Sequence, residues 1–335
     1  MRIYVNEQEL DASLSGEKTL DQVYEAVSRW SSDHKKYILN LKVDSREISI
    51  QRLADIPADG VDRVDFYIGD EMDMVLSTLT EMDRYVDQIG STLVERTELE
   101  RDDAENLREG TRWMSQIMGS VAAILSMSLD ETYSPLYPKG DDNSRSIASI
   151  LEGMKDMANG LEEGAGLDRI GDYLGELRAI KIYVTALRMQ LGAMHAGREE
   201  LLEIVEDFEE AIPELVVRIV GINESFGAGK DLAALESLDE VTEKLNGYIA
   251  SLFALDHQLR QSGENGFSSL EIEGIPFSRR ADSLMVLLRD LSSALEDNDI
   301  VATGDILEYE LTEQLELIKT YLPEARRMAS AAGSA

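Results

Sequence analysis

The distribution of apolar positions divides the chain near Gly69. Before this residue, apolar and polar side chains alternate in short runs, such as Leu39, Leu41 and Val43, and this alternation is typical of strands with one buried face. After it, apolar side chains recur at spacings of three and four, which indicates amphipathic helices. The sequence therefore predicts a small mixed unit of strands and helix, followed by a mainly helical region.

The first seventy residues contain the elements of one small domain. Residues 19–22 (TLDQ) have the form of a capping box, so a helix is expected to begin there and to reach Trp30. Polar turns at 6–9 and 44–47 separate the alternating segments. The predicted order is a strand at 3–5, a strand at 10–14, the helix, a strand at 39–43, a strand at 48–50, a short helical turn at 53–57 and a last strand at 61–68.

This order of elements resembles the ubiquitin-like β-grasp fold. Residues 1–5 (MRIYV) and 52–56 (RLADI) look like that family's opening strand and the segment before its final strand. The resemblance implies a domain that acts by protein–protein contact through a sheet face or edge. It does not imply conjugation, because there is no C-terminal Gly-Gly and the chain continues into a helix. Asn40, Lys42 and Ser49 would make the outer sheet face polar, so partner docking and capping of the helical region both stay open.

The region after Asp70 is expected to be a series of long helices, punctuated by Pro and Gly. Helices are predicted at 71–105, 107–129, 145–161, 167–193, 196–223, 231–262, 278–296 and 299–330. Pro213 falls inside one of them, and that helix is expected to be kinked or split there.

The predicted fold class is an α+β N-terminal β-grasp domain followed by a mainly all-α antiparallel helical bundle or short helical array. The predicted domains are 1–69 (β-grasp) and 70–330 (helical), with 331–335 as a disordered tail. Asp168, Asp231 and Asp299 each precede a long predicted helix, which fits a repeated helical hairpin. Ordinary N-terminal capping gives the same pattern, so a true repeat stays open.

Acidic side chains are concentrated in the helical region. Residues 1–70 hold 9 basic and 14 acidic side chains, and the remainder holds 23 and 52, which gives net charges of −5 and −29. A field of this sign repels nucleic acid and favours basic partners or cations. Acidity that only keeps a long helical protein soluble, or that reflects a salt-rich cytoplasm, explains the same composition.

Motifs for catalysis or cofactor binding are absent from the sequence. There is no cysteine, which excludes disulfides, thiolate metal sites and a Cys nucleophile. The stretch 227–230 (GAGK) is not a phosphate-binding loop, because Glu224 and Asp231 stand where that motif needs Gly and Ser or Thr. None of the three histidines lies in the Glu-x-x-His pattern of a carboxylate-bridged metal pair. We therefore predict no catalytic residue, no metal site and no cofactor.

Two long apolar loops, 130–143 and 262–277, are the candidate contact segments. Long apolar loops are often functional, and exposed apolar side chains mark interaction sites. The predicted partner-binding residues are Tyr133, Leu136, Tyr137, Phe267, Leu270 and Ile272. The alternative is that both loops fold down over helix ends, and the second loop could form a small hairpin.

The function predicted from these patterns is that of a non-enzymatic cytoplasmic protein–protein interaction protein, an adaptor or scaffold. The first alternative is an acidic chaperone-like or inhibitory protein that masks a basic partner, and the second is an enzyme with an unrecognised carboxylate site. The expected partner is a protein, with no nucleic acid and no membrane insertion, since the longest uncharged run, 113–129, is short for a bilayer span. A cytoplasmic location fits the strand-like start at Met1 and the absence of cysteine. The oligomeric state is not indicated.

Overall fold

The computed structural model describes residues 1–10, 17–48, 50–94, 96, 98–131, 145–161, 167–296 and 299–331. Its strands are β1 (Arg2–Val5), β2 (Gln8–Glu9), β3 (Tyr37–Val43), β4 (Arg46–Glu47), β5 (Arg63–Gly69), β6 (Glu271–Ile272) and β7 (Ile275–Pro276). Its α-helices are α1 (Leu20–Asp33), α2 (Glu71–Val94), α3 (Arg101–Leu125), α4 (Ile147–Gly160), α5 (Leu167–His195), α6 (Arg198–Gly227), α7 (Asp231–Gln261), α8 (Phe277–Glu296), α9 (Ile300–Asp305), α10 (Thr312–Lys319) and α11 (Leu322–Ala331).

The chain divides into two compact units. The N-terminal unit consists of Met1–Glu131 and Ala148–Lys181, and the C-terminal unit consists of Thr132–Ile147 and Ile182–Ala335. An N-terminal mixed sheet followed by a mostly helical region confirms the predicted α+β and all-α fold class.

The N-terminal sheet has five strands in the order β2-β1-β5-β3-β4. Strand β5 lies at its centre, parallel to β1 and antiparallel to β3. The apolar side chains of one face form the core with α1: Ile3, Leu20, Val23, Val27, Leu41, Val43, Leu53, Val61, Val64, Phe66 and Ile68. The alternation in the sequence therefore marks the buried face correctly at Leu41 and Val43 but not at Leu39, because the register shifts between Ile38 and Asn40 and Ile38 packs against this core instead.

Two of the predicted strands begin earlier than the sequence pattern suggested. The turns are two-residue loops in which Asn6 has φ 47° and Asp44 has φ 46°, and the residue after each is also left-handed. Such turns match the strand twist and pair the flanking residues at once, so β2 and β4 start directly after them. Strand β4 is therefore Arg46–Glu47 instead of 48–50. The predicted 10–14 strand lies largely outside the described residues.

Helices α2 to α4 and the first part of α5 complete the N-terminal unit. The helix predicted at 71–105 is too long, because α2 ends at Val94 and a capping box of Glu100 and Asp103 starts a new helix at Arg101. The side chain of Arg108 on α3 donates to the carbonyl oxygens of Ala158 and Leu161 at the end of α4. These bonds satisfy carbonyls that a helix end otherwise leaves unpaired.

In the C-terminal unit, α6 and α7 pack as an antiparallel pair. Phe208 stacks on Tyr248 with ring centroids 4.3 Å apart, and Arg218 pairs with Glu240. Pro213 does not split α6, which runs unbroken past this exposed residue. The buried positions of α6 recur at three and four: Leu201, Val205, Phe208, Ile212, Leu215, Ile219, Ile222 and Phe226.

The helix predicted at 299–330 is interrupted twice. Residues Ile306–Leu311 form a π-helical segment between α9 and α10, and a break at Tyr321 separates α10 from α11. Pro323 has no N–H to donate to the preceding turn, which accounts for the second break. The remaining predicted helices agree with the structure to within a few residues at each end.

Candidate functional site

The structure changes the interpretation of the second candidate loop. Phe267 and Leu270 are only 2% and 4% exposed and belong to the core of the C-terminal unit, so their predicted exposure is wrong. Ile272 is half-buried against the same core. These side chains are buried rather than exposed because transfer of a large apolar side chain out of water is favourable by about 1.5–3 kcal/mol. The predicted contacts Tyr133, Leu136 and Tyr137 lie outside the described residues.

Specific polar contacts hold this loop down. The Phe267 N–H donates to the carboxylate of Asp256, which also pairs with Arg260. The Tyr321 hydroxyl donates to the Ile275 carbonyl at 2.9 Å. Between these anchors, β6 and β7 form the small hairpin that the sequence allowed. The loop therefore closes over helix ends.

One exposed apolar site in the described part of the C-terminal unit is a groove between the end of α5, the second half of α7 and one position of α8. Its volume is about 240 Å³. It is lined by Ala186, Met189, Gln190, Met194, Ile249, Ala250, Phe253, Ala254, His257 and Met285. We call this set the methionine groove.

Small side chains create the methionine groove and large ones surround it. Ala186 and Ala254 are buried at its floor, where their single methyl groups leave space between the helices. Met194 and Phe253 stand at the rim, 57% and 40% exposed. Exposed large apolar side chains that are grouped around a cavity are a feature of binding sites.

No formal charge lines the methionine groove. Its polar members are Gln190 and His257, and the Nε2 atom of His257 lies 2.8 Å from the Gln261 side chain in a hydrogen bond. The neighbouring Asp256 points the other way, into the loop, because consecutive helical positions face apart. The two therefore do not form an acid–base pair.

Sequence reasoning missed this groove, although a signal for it exists. Residues 245–255 (LNGYIASLFAL) carry no charge, and residues 182–194 carry only Arg188. A surface helix normally shows one apolar stripe. Apolar positions on more than one face of two helices indicate a second contact surface in addition to the core.

The N-terminal unit contains a more polar cleft, between α2 and α3. It holds about 330 Å³ and is lined by Tyr85, Gln88, Ile89, Thr92, Leu93, Asp103, Asn106, Leu107, Glu109 and Gly110. Burial, and then the charge of Glu109, raise the pKa of Tyr85. Deeper in the unit, burial raises the pKa of Tyr173 to about 12, although a 2.9 Å hydrogen bond with Thr111 partly opposes the shift.

The outer face of the sheet is polar, as Asn40 and Lys42 predicted; Ser49 lies outside the described residues. Asp65 sits at the centre of this face, 6% exposed, and receives hydrogen bonds from Arg63 at 2.8 Å. The Arg63 guanidinium in turn covers the Tyr4 ring at 3.9 Å. A buried carboxylate needs such a partner, so this face is an internally paired surface.

Comparisons with known families match two parts of the chain. Residues 1–70 match the family described as the TP0873 N-terminal domain, and this range ends with the five-stranded sheet. Residues 203–321 match a domain of unknown function, DUF8042, and this range contains α7 and α8, which form part of the methionine groove. No curated protein matches the chain. No solved structure matches it either.

Among the described residues, no helix has the combination of length and apolar composition that crossing a bilayer requires.

Proposed function

We propose that this protein is a non-enzymatic interaction protein, an adaptor or scaffold, whose C-terminal unit binds a partner protein in the methionine groove. The observation that carries the proposal is the exposure of Met194 and Phe253 around a floor of alanines. Thioether side chains are flexible and polarizable, and they adapt to the shape of an apolar partner. A cytoplasmic location belongs to the same proposal and is supported by the absence of cysteine.

The N-terminal unit supports the proposal in a second way. Residues 1–69 resemble ubiquitin-like β-grasp domains, which act through protein contacts. The outer sheet face offers Tyr4 and Lys42 beside the paired Arg63 and Asp65. We propose this face as a polar contact surface, with capping of the helical region as the alternative.

Masking of a basic partner is the second candidate function, and the charge of the C-terminal unit favours it. Residues 182–335 hold 29 acidic and 12 basic side chains, a net charge of −17. Salt separates the two functions. Masking depends on charge alone and is lost as salt rises to physiological strength, whereas docking that rests on apolar contacts is retained there.

The test is affinity capture from native lysate with the full chain, at low and at physiological salt. The groove variant is Phe253→Ala, and the control is Val217→Ala, which truncates an apolar side chain that is 70% exposed on α6. We expect a partner that is still captured at physiological salt, that Phe253→Ala loses and that Val217→Ala retains. Partners retained equally by both variants and lost at physiological salt would instead support masking.

A further inference from the structure

We infer that the occupant of the methionine groove is an amphipathic helix of the partner, with apolar side chains on one face and basic side chains on the other. This inference rests on the proposed function of the groove and specifies the chemistry of its ligand.

The shape of the groove favours a helix. Its two long walls come from helices, and on each wall the lining positions recur at three and four residues: Ala186, Met189, Gln190 and Met194 on α5, and Ile249, Ala250, Phe253, Ala254 and His257 on α7. Each wall spans eight residue steps, which corresponds to about 12 Å or two helical turns. Side chains of a third helix pack into a groove of this kind as ridges into grooves.

The volume of the groove limits how many apolar side chains of the ligand, here called anchors, it can hold. A cavity of roughly 150 Å³ accepts a benzene-sized group. The methionine groove, at about 240 Å³, therefore accommodates one aromatic side chain or two aliphatic ones. Two aliphatic anchors one turn apart, at i and i+3 or i+4, fit the two-turn length of the walls.

The charge in and around the groove determines which residue types the ligand carries on each of its faces. No formal charge lines the groove, and the nearby Arg188 and Glu243 pair with each other at 3.3 Å. The face of the ligand inside the groove can therefore be purely apolar. Its outer face lies in the field of a unit with a net charge of −17, which attracts Lys and Arg and repels Asp and Glu.

The same charge argues against a second copy of this chain as the occupant. Two copies would each bring a net charge of −34 to the contact. Repulsion of that size opposes association unless a large interface compensates for it. A basic partner helix gains from the same field.

The experiment measures binding of labelled synthetic peptides to the full chain by fluorescence anisotropy, at physiological salt. The first peptide is a Leu/Lys sequence with its leucines on one helical face. The second has the same composition, scrambled so that the leucines are dispersed, and the third is an amphipathic Leu/Glu peptide. We expect the first to bind at least tenfold more tightly than either of the others.

Two variants locate the binding site. Phe253→Ala removes a rim side chain, and Ala250→Leu fills the groove while adding a good helix former. The matched control is Ala233→Leu, at an exposed position of the same helix outside the groove. We expect both groove variants to weaken Leu/Lys binding at least tenfold and the control to leave it unchanged, with far-UV circular dichroism confirming that all three remain folded.

Each alternative outcome overturns a different statement. Equal binding of the Leu/Glu peptide, still lost in Ala250→Leu, refutes the basic face but leaves the groove as a binding site. Equal binding of the scrambled peptide, unaffected by the groove variants, refutes the groove and the proposed function with it. Failure of all three peptides, while Phe253→Ala still loses a captured partner, refutes the helical ligand only.

Discussion

Truncation of Phe267 to alanine tests whether the second loop belongs to the core or to an interface. Phe267 is 2% exposed, and its ring lies 5.4 Å from that of Phe277 in an edge-to-face contact. The variant keeps the backbone N–H that donates to Asp256. It therefore removes packing while leaving the polar anchor of the loop in place.

The expected cost follows from the burial of this side chain. Replacing a fully buried Phe by Ala costs about 3–5 kcal/mol, through lost transfer energy and the cavity left behind. With a urea dependence of roughly 2–3 kcal/mol per M, the unfolding midpoint of the C-terminal unit falls by roughly 1–2.5 M. The matched control is Phe253→Ala, at a position 40% exposed, which is expected to cost only about 1 kcal/mol.

The assay uses two probes that report different parts of the chain. Both tryptophans, Trp30 and Trp113, lie in the N-terminal unit, so their fluorescence follows that unit alone. Far-UV circular dichroism follows the helices of both units. Phe267→Ala is expected to shift the circular dichroism transition while the fluorescence transition stays in place.

A midpoint for Phe267→Ala no lower than that of Phe253→Ala would refute the burial of the loop. It would also restore Phe267 as a candidate contact residue. The reverse pattern in binding completes the comparison, since Phe253→Ala is expected to lose the partner at small cost in stability.

Three further predictions concern the N-terminal unit, followed by tryptophan fluorescence unless stated. Gly110→Ala would make a methyl carbon overlap the Tyr85 hydroxyl, so we expect the unit to lose about 1–3 kcal/mol of stability, part of which an added Tyr85→Phe restores. Burial raises the pKa of Tyr173 from 10.0 to about 12. The neutral Tyr173 side chain therefore stabilises the folded unit fully below pH 10.0, and this stabilisation is lost as the pH rises towards about 12. Tyrosinate absorbance during alkaline unfolding would detect the late ionisation of this residue. An ionisation of all tyrosines near their ordinary pKa would contradict this. Asp65→Asn removes the charge of the buried partner of Arg63 and is expected to lower the free energy of unfolding by about 1.5–3 kcal/mol. An unchanged urea midpoint would show that the ion pair does not contribute to stability.

The parts of the fold that were predictable are those governed by local periodicity. Alternation identified the buried face of the sheet at Leu41, Val43 and Phe66, and spacings of three and four identified the helices. Turns at 6–9 and 44–47 were predicted, but not their two-residue form, because Asn-Glu and Asp-Ser do not carry the usual glycine of such turns. The boundary of the first domain at residue 69 stays a prediction.

The candidate site was predicted less well, because it depends on tertiary packing. The sequence of a Gly-rich loop does not show whether its apolar side chains face solvent. Here the loop is held against the core by Asp256, eleven positions before Phe267, which accepts a hydrogen bond from the Phe267 N–H. The alanines at 250 and 254 appear in the sequence as ordinary helix formers. Only their position opposite α5 makes them part of the lining of a groove.

The methionine groove is also sensitive to oxidants, because Met189, Met194 and Met285 line it. With no cysteine in the chain, thioethers are its only sulfur, and Met194 is the most exposed of these three. Oxidation to the sulfoxide places a polar, chiral group where an apolar ligand would bind, and methionine sulfoxide reductases reverse it. If the groove binds an apolar partner as proposed, oxidation of its methionines would weaken that binding, and reduction of the sulfoxides would restore it.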